Sequence, residues 1–162
     1  MKAALGLGSN QGDSRTTLRS ALDALDALHD TTVTAVSSLY RTSPVGYMDQ
    51  PDFYNAVAEV ETSLSPHALL GACLGIEAAL GRVRTFPNAP RVIDIDLLFM
   101  GNIHSSDSEL LLPHPRAMER GFVLFPLLEL HPDGHGFQVD IAAAASRVDS
   151  SGVVRIEEKF WR

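Results

Sequence analysis

Three arginines, Arg82, Arg84 and Arg91, lead into an apolar run that carries two aspartates, Asp94 and Asp96. Side chains alternate across a strand, so Asp94 and Asp96 project from one face while Ile93, Ile95 and Leu97 project from the other. Residues two apart on a strand are separated by about 6–7 Å, a span across which two carboxylates can hold hard cations. Guanidinium groups offer planar forks that suit phosphate oxygens. Acids for a divalent cation beside bases for phosphate make up the composition of a nucleoside triphosphate site.

Glu77 extends this cluster toward the N-terminus. It falls four residues after Cys73, on the inward stripe of a helix that Gly81 terminates, and so lies within about a turn of Arg82. An acid at that position sits either at the margin of the core or turned into the site. Taken singly, each signal has an ordinary explanation. Alternating aspartates commonly line a solvated sheet face, loop arginines are commonly solvated, and His114 between two prolines is commonly structural. His29, His67, His104, His131 and His135 show no metal-ligand spacing. The clustering of arginines and acids across residues 77–96, flanked by long irregular segments, is what points to a site.

Bulk properties narrow the classes. The chain has 162 residues, of which 45% are hydrophobic and 20% charged, as expected for one globular domain spanning 1–162. A formal net charge of −7 argues against non-specific binding to nucleic acid or anionic membranes. No apolar run reaches the roughly 18 residues of a membrane span, and the N-terminus turns polar too early for a secretory leader. Cys73 is the only cysteine, which excludes an intrachain disulfide and reads as buried filler. A cytoplasmic protein is expected.

The elements that must position the cluster follow from patterning. Residues 2–7 read as a strand closed by a glycine-rich segment, Gly8 to Asp13. Its spacing fits neither a Rossmann fingerprint nor a P-loop, and a structural turn is favoured over an anion site. A helix over 14–28 follows, with Leu18, Ala21, Leu22, Leu25 and Leu28 on one stripe. Strands are expected over 31–40 and 54–62, joined by an irregular segment long enough to be a functional lid. Ser65-Pro66 starts a second helix that runs to Leu80, before the Asp-Ile-Asp strand. Short elements come after it: a strand at 110–112, a helix near 123–130 kinked or started at Pro126, a helix over 141–147 and a strand over 153–156. The order βαββαβ predicts an α+β, ferredoxin-like sandwich, with a largely antiparallel sheet and helices on one face. The other face would be open, and Asp94 and Asp96 could project onto it.

Several motifs occur in order: Gly8-Ser-Asn, Tyr40-Arg-Thr-Ser-Pro, Asp49-Gln-Pro-Asp-Phe-Tyr-Asn55, Gly81-Arg-Val-Arg84, Pro90-Arg-Val-Ile-Asp-Ile-Asp-Leu-Leu98 and Pro113-His-Pro-Arg-Ala-Met-Glu-Arg-Gly-Phe122. In these the chain resembles the 6-hydroxymethyl-7,8-dihydropterin pyrophosphokinases of folate biosynthesis, collinearly from about Leu5 to Leu130. The resemblance implies transfer of the pyrophosphoryl group of ATP to the pterin hydroxymethyl group, with two Mg²⁺ ions held by Asp94 and Asp96. It implies that Arg82, Arg91 and Arg84 hold the transferred group, and that Glu77, His114 and Arg120 lie on the nucleotide side. The pterin would stack between Phe53 and Phe122 and hydrogen-bond Asn55, with Thr42, Pro44 and Val45 completing its edge. The loops at 42–52 and 82–90 would close over both substrates, and a monomer is expected.

The chain departs from the family pattern in three places: Asn88-Ala89 replaces Trp-Gly, Leu74 replaces a glutamine, and Pro115 replaces an aromatic residue. Two other readings accommodate the aspartate pair. One is a different Mg²⁺-dependent nucleotide-using transferase, which leaves Phe53, Asn55 and Phe122 without a role. The other is a non-catalytic ferredoxin-like ligand-binding domain.

Overall fold

A computed structural model describes residues 1–162. In chain order the elements are β1 (Lys2–Ser9), α1 (Ser14–Asp26), β2 (Thr31–Val36), β3 (Leu39–Thr42), β4 (Phe53–Thr62), α2 (Pro66–Ala79) and β5 (Asp94–Met100). There follow β6 (Ser105–Asp107), β7 (Leu110–Leu112), a 3-10 turn (Ala117–Glu119), α3 (Gly121–Leu130), β8 (His135–Gly136), β9 (Val139–Asp140), α4 (Ile141–Ala145) and β10 (Val153–Glu157). The main sheet runs β10-β3-β4-β1-β5, with β2 also paired to β4, and every pairing is antiparallel.

The helix starts arise from local chemistry. Asp13 caps α1 by accepting the Thr16 amide at 3.2 Å, and Ser65 caps α2 by accepting from Ala68 at 3.2 Å, with Pro66 at the first helical position. Leu18, Ala21, Leu22 and Leu25 of α1 and Leu69, Cys73 and Ile76 of α2 pack on Leu5, Leu7, Ala58, Val60, Ile95 and Leu97 of the sheet. Burial pushes the Cys73 thiol up to about 12, which removes it as a nucleophile.

The second face of the sheet is covered, contrary to the expectation of an open face. Val123, Leu124 and Leu127 of α3 and Ile141, Ala144 and Ala145 of α4 pack on Ala4, Val57, Leu98 and Phe99. A register shift between Ala4 and Leu5 skips Leu98, and this bulge turns both Leu98 and Phe99 toward α3 and α4. Helices therefore lie on both faces. Only the end of this face that carries Asp94 and Asp96 stays open, beyond the N-terminus of α3.

Other differences are local. The expected strand 31–40 is broken at Ser37-Ser38, where the Ser37 hydroxyl accepts the Val57 amide at 2.9 Å and bridges the gap. Helix α3 begins at Gly121, with Pro126 inside it. Residues 131–162, beyond the stretch that carries the family resemblance, are built into the fold: β10 pairs with β3, and Phe160 is fully buried in the first core. No helix is long and apolar enough to cross a membrane.

Candidate active site

The open end of the sheet is built from the ends of three adjacent strands, β4, β1 and β5. Gly8 of β1 lies opposite Asn55 of β4 on one side and Asp94 of β5 on the other, while Gly6 lies opposite Asp96. Gly8 thus belongs to the strand rather than to the turn that the sequence suggested. The two glycines make a floor without side chains between the amide and the acids. A Cβ at Gly8 would sit 2.6 Å from Asn55 Oδ1. Asn55 is buried, and its Nδ2 donates to Thr42 Oγ1 at 2.6 Å, which fixes the orientation of the amide. Gly8→Ala should therefore displace Asn55 and raise the KM for a ligand read by that amide about tenfold, leaving the KM of a nucleotide nearly unchanged. Steady-state kinetics with each substrate varied in turn checks this.

Beside that floor the acids and arginines form one network. Glu77 is only 3% exposed, and its Oε2 accepts the Ile95 amide at 2.7 Å. It is thus both buried in the core and turned into the site, which joins the two alternatives left open by its position on α2. Arg82 donates to Asp94 Oδ1 at 2.6 Å, to the Ile93 carbonyl at 3.1 Å and to Glu77 at 3.3 Å. Arg84 reaches Glu77 Oε1 at 2.9 Å and Arg91 reaches Asp94 Oδ2 at 3.4 Å. The Nε atoms of Arg82 and Arg120 are buried without an acceptor. Unmatched guanidinium donors at a site are suited to an incoming anion such as phosphate.

Asp96 makes no hydrogen bond of its own and stands 4.0 Å from Arg120. Burial, followed by the charge of neighbouring Asp94, pushes its carboxyl up to about 7. A divalent cation would relieve this like-charge pair, so the two aspartates fit such an ion. No third carboxylate or imidazole joins them, which leaves the remaining coordination positions to ligand oxygens and water. Burial also raises the Glu77 carboxyl, opposed by the Ile95 amide, and lowers the His114 imidazole.

The Asp96 shift has a consequence for stability without metal. An acid whose folded-state pKa is raised gives stability that is complete below its unfolded pKa and lost as pH rises through the folded one. The metal-free protein should therefore gain Tm as pH falls from 8 to 6, and Asp96→Asn should flatten that slope. Differential scanning calorimetry in chelator at the two pH values tests it.

Two recesses meet at the aspartates. Thr42, Val45, Phe53, Asn55 and Phe122 line one of them, together with Arg91 and Arg120. The Arg91 guanidinium lies 4.9 Å from the centre of the Phe53 ring, and that of Arg120 lies 5.4 Å from Phe122. The second recess is lined by Glu77, Arg84, Asp96 and His114, with Leu111 and the substituted Leu74. Asp94 borders both. Such an arrangement can hold a flat ligand and an anionic one with a cation between their reacting ends.

Two expected residues fall elsewhere. Arg120 borders the aromatic recess rather than the recess of Glu77 and His114, because it caps the N-terminus of α3 next to Phe122. Pro44 is buried and lines neither recess, although Thr42 and Val45 around it do line the first.

Asn10 and Gln50 were passed over in the sequence. Asn10 Nδ2 donates to Gln50 Oε1 at 2.9 Å and to the Pro51 carbonyl at 3.0 Å, while its Oδ1 accepts the Arg91 amide at 2.8 Å. Gln50 donates to the Asn88 carbonyl at 2.9 Å, and Tyr47 meets Phe86 edge-on at 5.2 Å. These contacts fasten the segments 43–52 and 82–90 to each other. The only signals for them were the Gly8-Ser-Asn motif, which has the composition of an ordinary turn, and the place of Gln50 in the Asp49-Gln-Pro-Asp-Phe-Tyr-Asn55 motif. Asn88, at one of the departures from the family pattern, holds a left-handed φ of 60° that asparagine tolerates.

The chain is similar to known proteins over most of its length. A family model described as 7,8-dihydro-6-hydroxymethylpterin-pyrophosphokinase matches residues 4–132. The 2-amino-4-hydroxy-6-hydroxymethyldihydropteridine pyrophosphokinase of Methylorubrum extorquens is 47% identical over 156 residues, covering 96% of this chain and 99% of that protein. The Bacillus subtilis protein of the same name is 43% identical over 151 residues, covering 93% and 87%. Among solved structures, an HPPK-DHPS in complex with substrates superimposes with a TM-score of 0.68 at 15% identity, over 90% of this chain. An HPPK-DHPS of Plasmodium falciparum with pterin and p-hydrobenzoate gives 0.66 at 17% identity, also over 90%. The chain spans only 43% and 44% of those two longer chains, and they bear on the fold alone. The sequence relatives and the family match establish that this chain belongs to the 7,8-dihydro-6-hydroxymethylpterin-pyrophosphokinase family.

Proposed function

We propose that the protein transfers the pyrophosphoryl group of ATP to the hydroxymethyl group of 6-hydroxymethyl-7,8-dihydropterin, giving the pterin diphosphate and AMP in folate biosynthesis. The observation that carries this reading is the position of Asp94. It stands at the junction of an aromatic, amide-floored recess and a recess lined by arginine and histidine.

In this reading the pterin ring lies against Phe53 and Phe122, as flat heterocycles do on aromatic faces. The Asn55 amide, held by Thr42, offers a donor and an acceptor to the pterin edge, and backbone groups beside Val45 complete it. ATP occupies the recess of Glu77, Arg84 and His114. Asp94 and Asp96 would hold two Mg²⁺ ions, which supply charge neutralisation on the phosphates. Arg82 and Arg91 then exchange Asp94 for phosphate oxygens and hold the group being moved.

The hydroxymethyl oxygen attacks the β-phosphorus in line, the bond from that phosphorus to the α-phosphate oxygen breaks, and AMP leaves. The hydroxyl proton is lost as the new oxygen–phosphorus bond forms. Phosphoryl chemistry of this kind depends on positioning and charge more than on a strong base. The segments 43–52 and 82–90, already joined through Gln50 and Tyr47, exclude competing water.

In this reading the protein acts as a monomer in the cytoplasm. Residues 1–162 act as one domain of ferredoxin-like derivation, with α3, α4 and β10 added to the βαββαβ unit. Chromatography of a reaction containing ATP, Mg²⁺ and hydroxymethyldihydropterin tests the reading. AMP should accumulate one for one with pterin consumed, and ADP as the nucleotide product would contradict it.

A further inference from the structure

A charged cluster outside both recesses joins two walls of the aromatic one. Glu129 lies near the C-terminus of α3, seven residues after Phe122. Two helical turns separate them, so both side chains leave α3 on the same stripe, roughly 10 Å apart along its axis. The Glu129 carboxylate accepts the Ser38 amide at 2.9 Å, the Ser38 hydroxyl at 2.9 Å and the Tyr40 hydroxyl at 2.6 Å. Ser38 directly precedes β3, and Tyr40 stands two residues before Thr42, the partner of Asn55.

The third member comes from β10, beyond the residues that match the family model. Arg155 lies opposite Tyr40 in the sheet, with its Nε 3.8 Å from Glu129 and its guanidinium over the Tyr40 ring at 5.9 Å. The same strand pairs Val153 with Thr42, and the Gly152 carbonyl accepts the Ser43 amide at 3.0 Å. One carboxylate therefore ties the helix bearing Phe122 to the strand bearing Thr42, and β10 holds that strand from its outer edge. Tyr40 is buried, and its hydroxyl is pushed up to about 12, so it stays a donor at any working pH.

We propose that Tyr40, Glu129 and Arg155 are positioning residues that set the spacing between Phe122 and the Thr42–Asn55 pair, and through it the affinity for the flat ligand. The inference rests on the pterin reading above. None of the three lines either recess. Their influence passes through α3 and β3, and it should discriminate between the two substrates.

The test uses Tyr40→Phe, Glu129→Gln, Arg155→Met and Arg155→Lys in the full chain, each melted to establish its folded fraction. Pterin dissociation constants from fluorescence and KM for both substrates are then measured. The expected result is a pterin Kd and KM raised about fivefold to tenfold in the first three, an ATP KM within about twofold of the parent, and recovery in Arg155→Lys. Should Glu129→Gln fail to fold, Tyr40→Phe, which keeps the ring and removes only the hydroxyl, decides the matter. Lowered Tm with unchanged pterin affinity, or equal loss for both substrates, would overturn the positioning role. Absence of pterin binding in the unsubstituted protein would overturn the functional reading itself, and this inference with it.

Discussion

Replacing Asp96 with alanine is expected to lower turnover by about three orders of magnitude or more and leave the fold intact. The two halves of this expectation have separate causes. Asp96 makes no hydrogen bond, and its nearest cation is Arg120 at 4.0 Å, so its removal breaks no strong contact. Its carboxyl is already pushed up to about 7 by burial and by Asp94, so its charge is a burden on the metal-free fold. Above neutral pH the Tm of Asp96→Ala should hold or rise. Turnover collapses because the site loses one of only two carboxylates available to a cation. Asp94→Ala should lose as much activity but is less clean, because it also releases Arg82 and Arg91. Stopped assays at saturating Mg²⁺ beside thermal melts give both numbers. Retained turnover in Asp96→Ala would remove the metal role from the account.

The second large effect is expected at Arg82. Its side chain is 12% exposed and bridges Asp94, Glu77 and the Ile93 carbonyl. Arg82→Met keeps the stem and removes the charge. The kcat should fall by about 10²–10³, the loss typical of one preorganised donor to developing charge. Stability should fall as well, by about 2 kcal/mol, because Glu77 is left buried with only the exposed Arg84 as a charged partner. A second substitution separates these effects. Glu77→Leu added to Arg82→Met should restore much of the stability and none of the turnover, since it removes the orphaned carboxylate without returning the clamp. Denaturant unfolding and kinetics on the single and double variants measure this directly. Recovery of both quantities together would mean that Arg82 serves only the fold.

Much of the site is legible because strands and helices have fixed periods. The alternation of Asp94 and Asp96 with Ile95 and Leu97 decides which side chains reach the core. The Ser65-Pro66 start and the Gly81 stop place Glu77 near Arg82 before any tertiary contact is considered. Asn55 and Phe53, by contrast, acquire meaning only from the family resemblance, since an asparagine on an apolar strand carries no periodic signal.

What escapes the sequence depends on pairing between distant segments. The covered second face required knowing that α3 and α4 fold back across β1 and β4, and the bulge at Leu98 that turns Phe99 to meet them has no local signature. The place of Arg120 follows from the same packing, because the start of α3 sets its guanidinium over the Phe122 ring. The polar staples at Asn10 and Gln50 are equally opaque. Their hydrogen bonds cross 40 and 81 positions of chain, and neither residue type prefers such a role.

The central claim is that a whole diphosphate passes to the pterin through the junction at Asp94. It is tested most directly with ATP labelled at the β-phosphorus. After a single turnover with hydroxymethyldihydropterin, the account predicts that the label leaves the nucleotide completely and is recovered in the pterin product, with unlabelled AMP beside it. Label retained in ADP, with only the γ-phosphate on the pterin or in free phosphate, would contradict it.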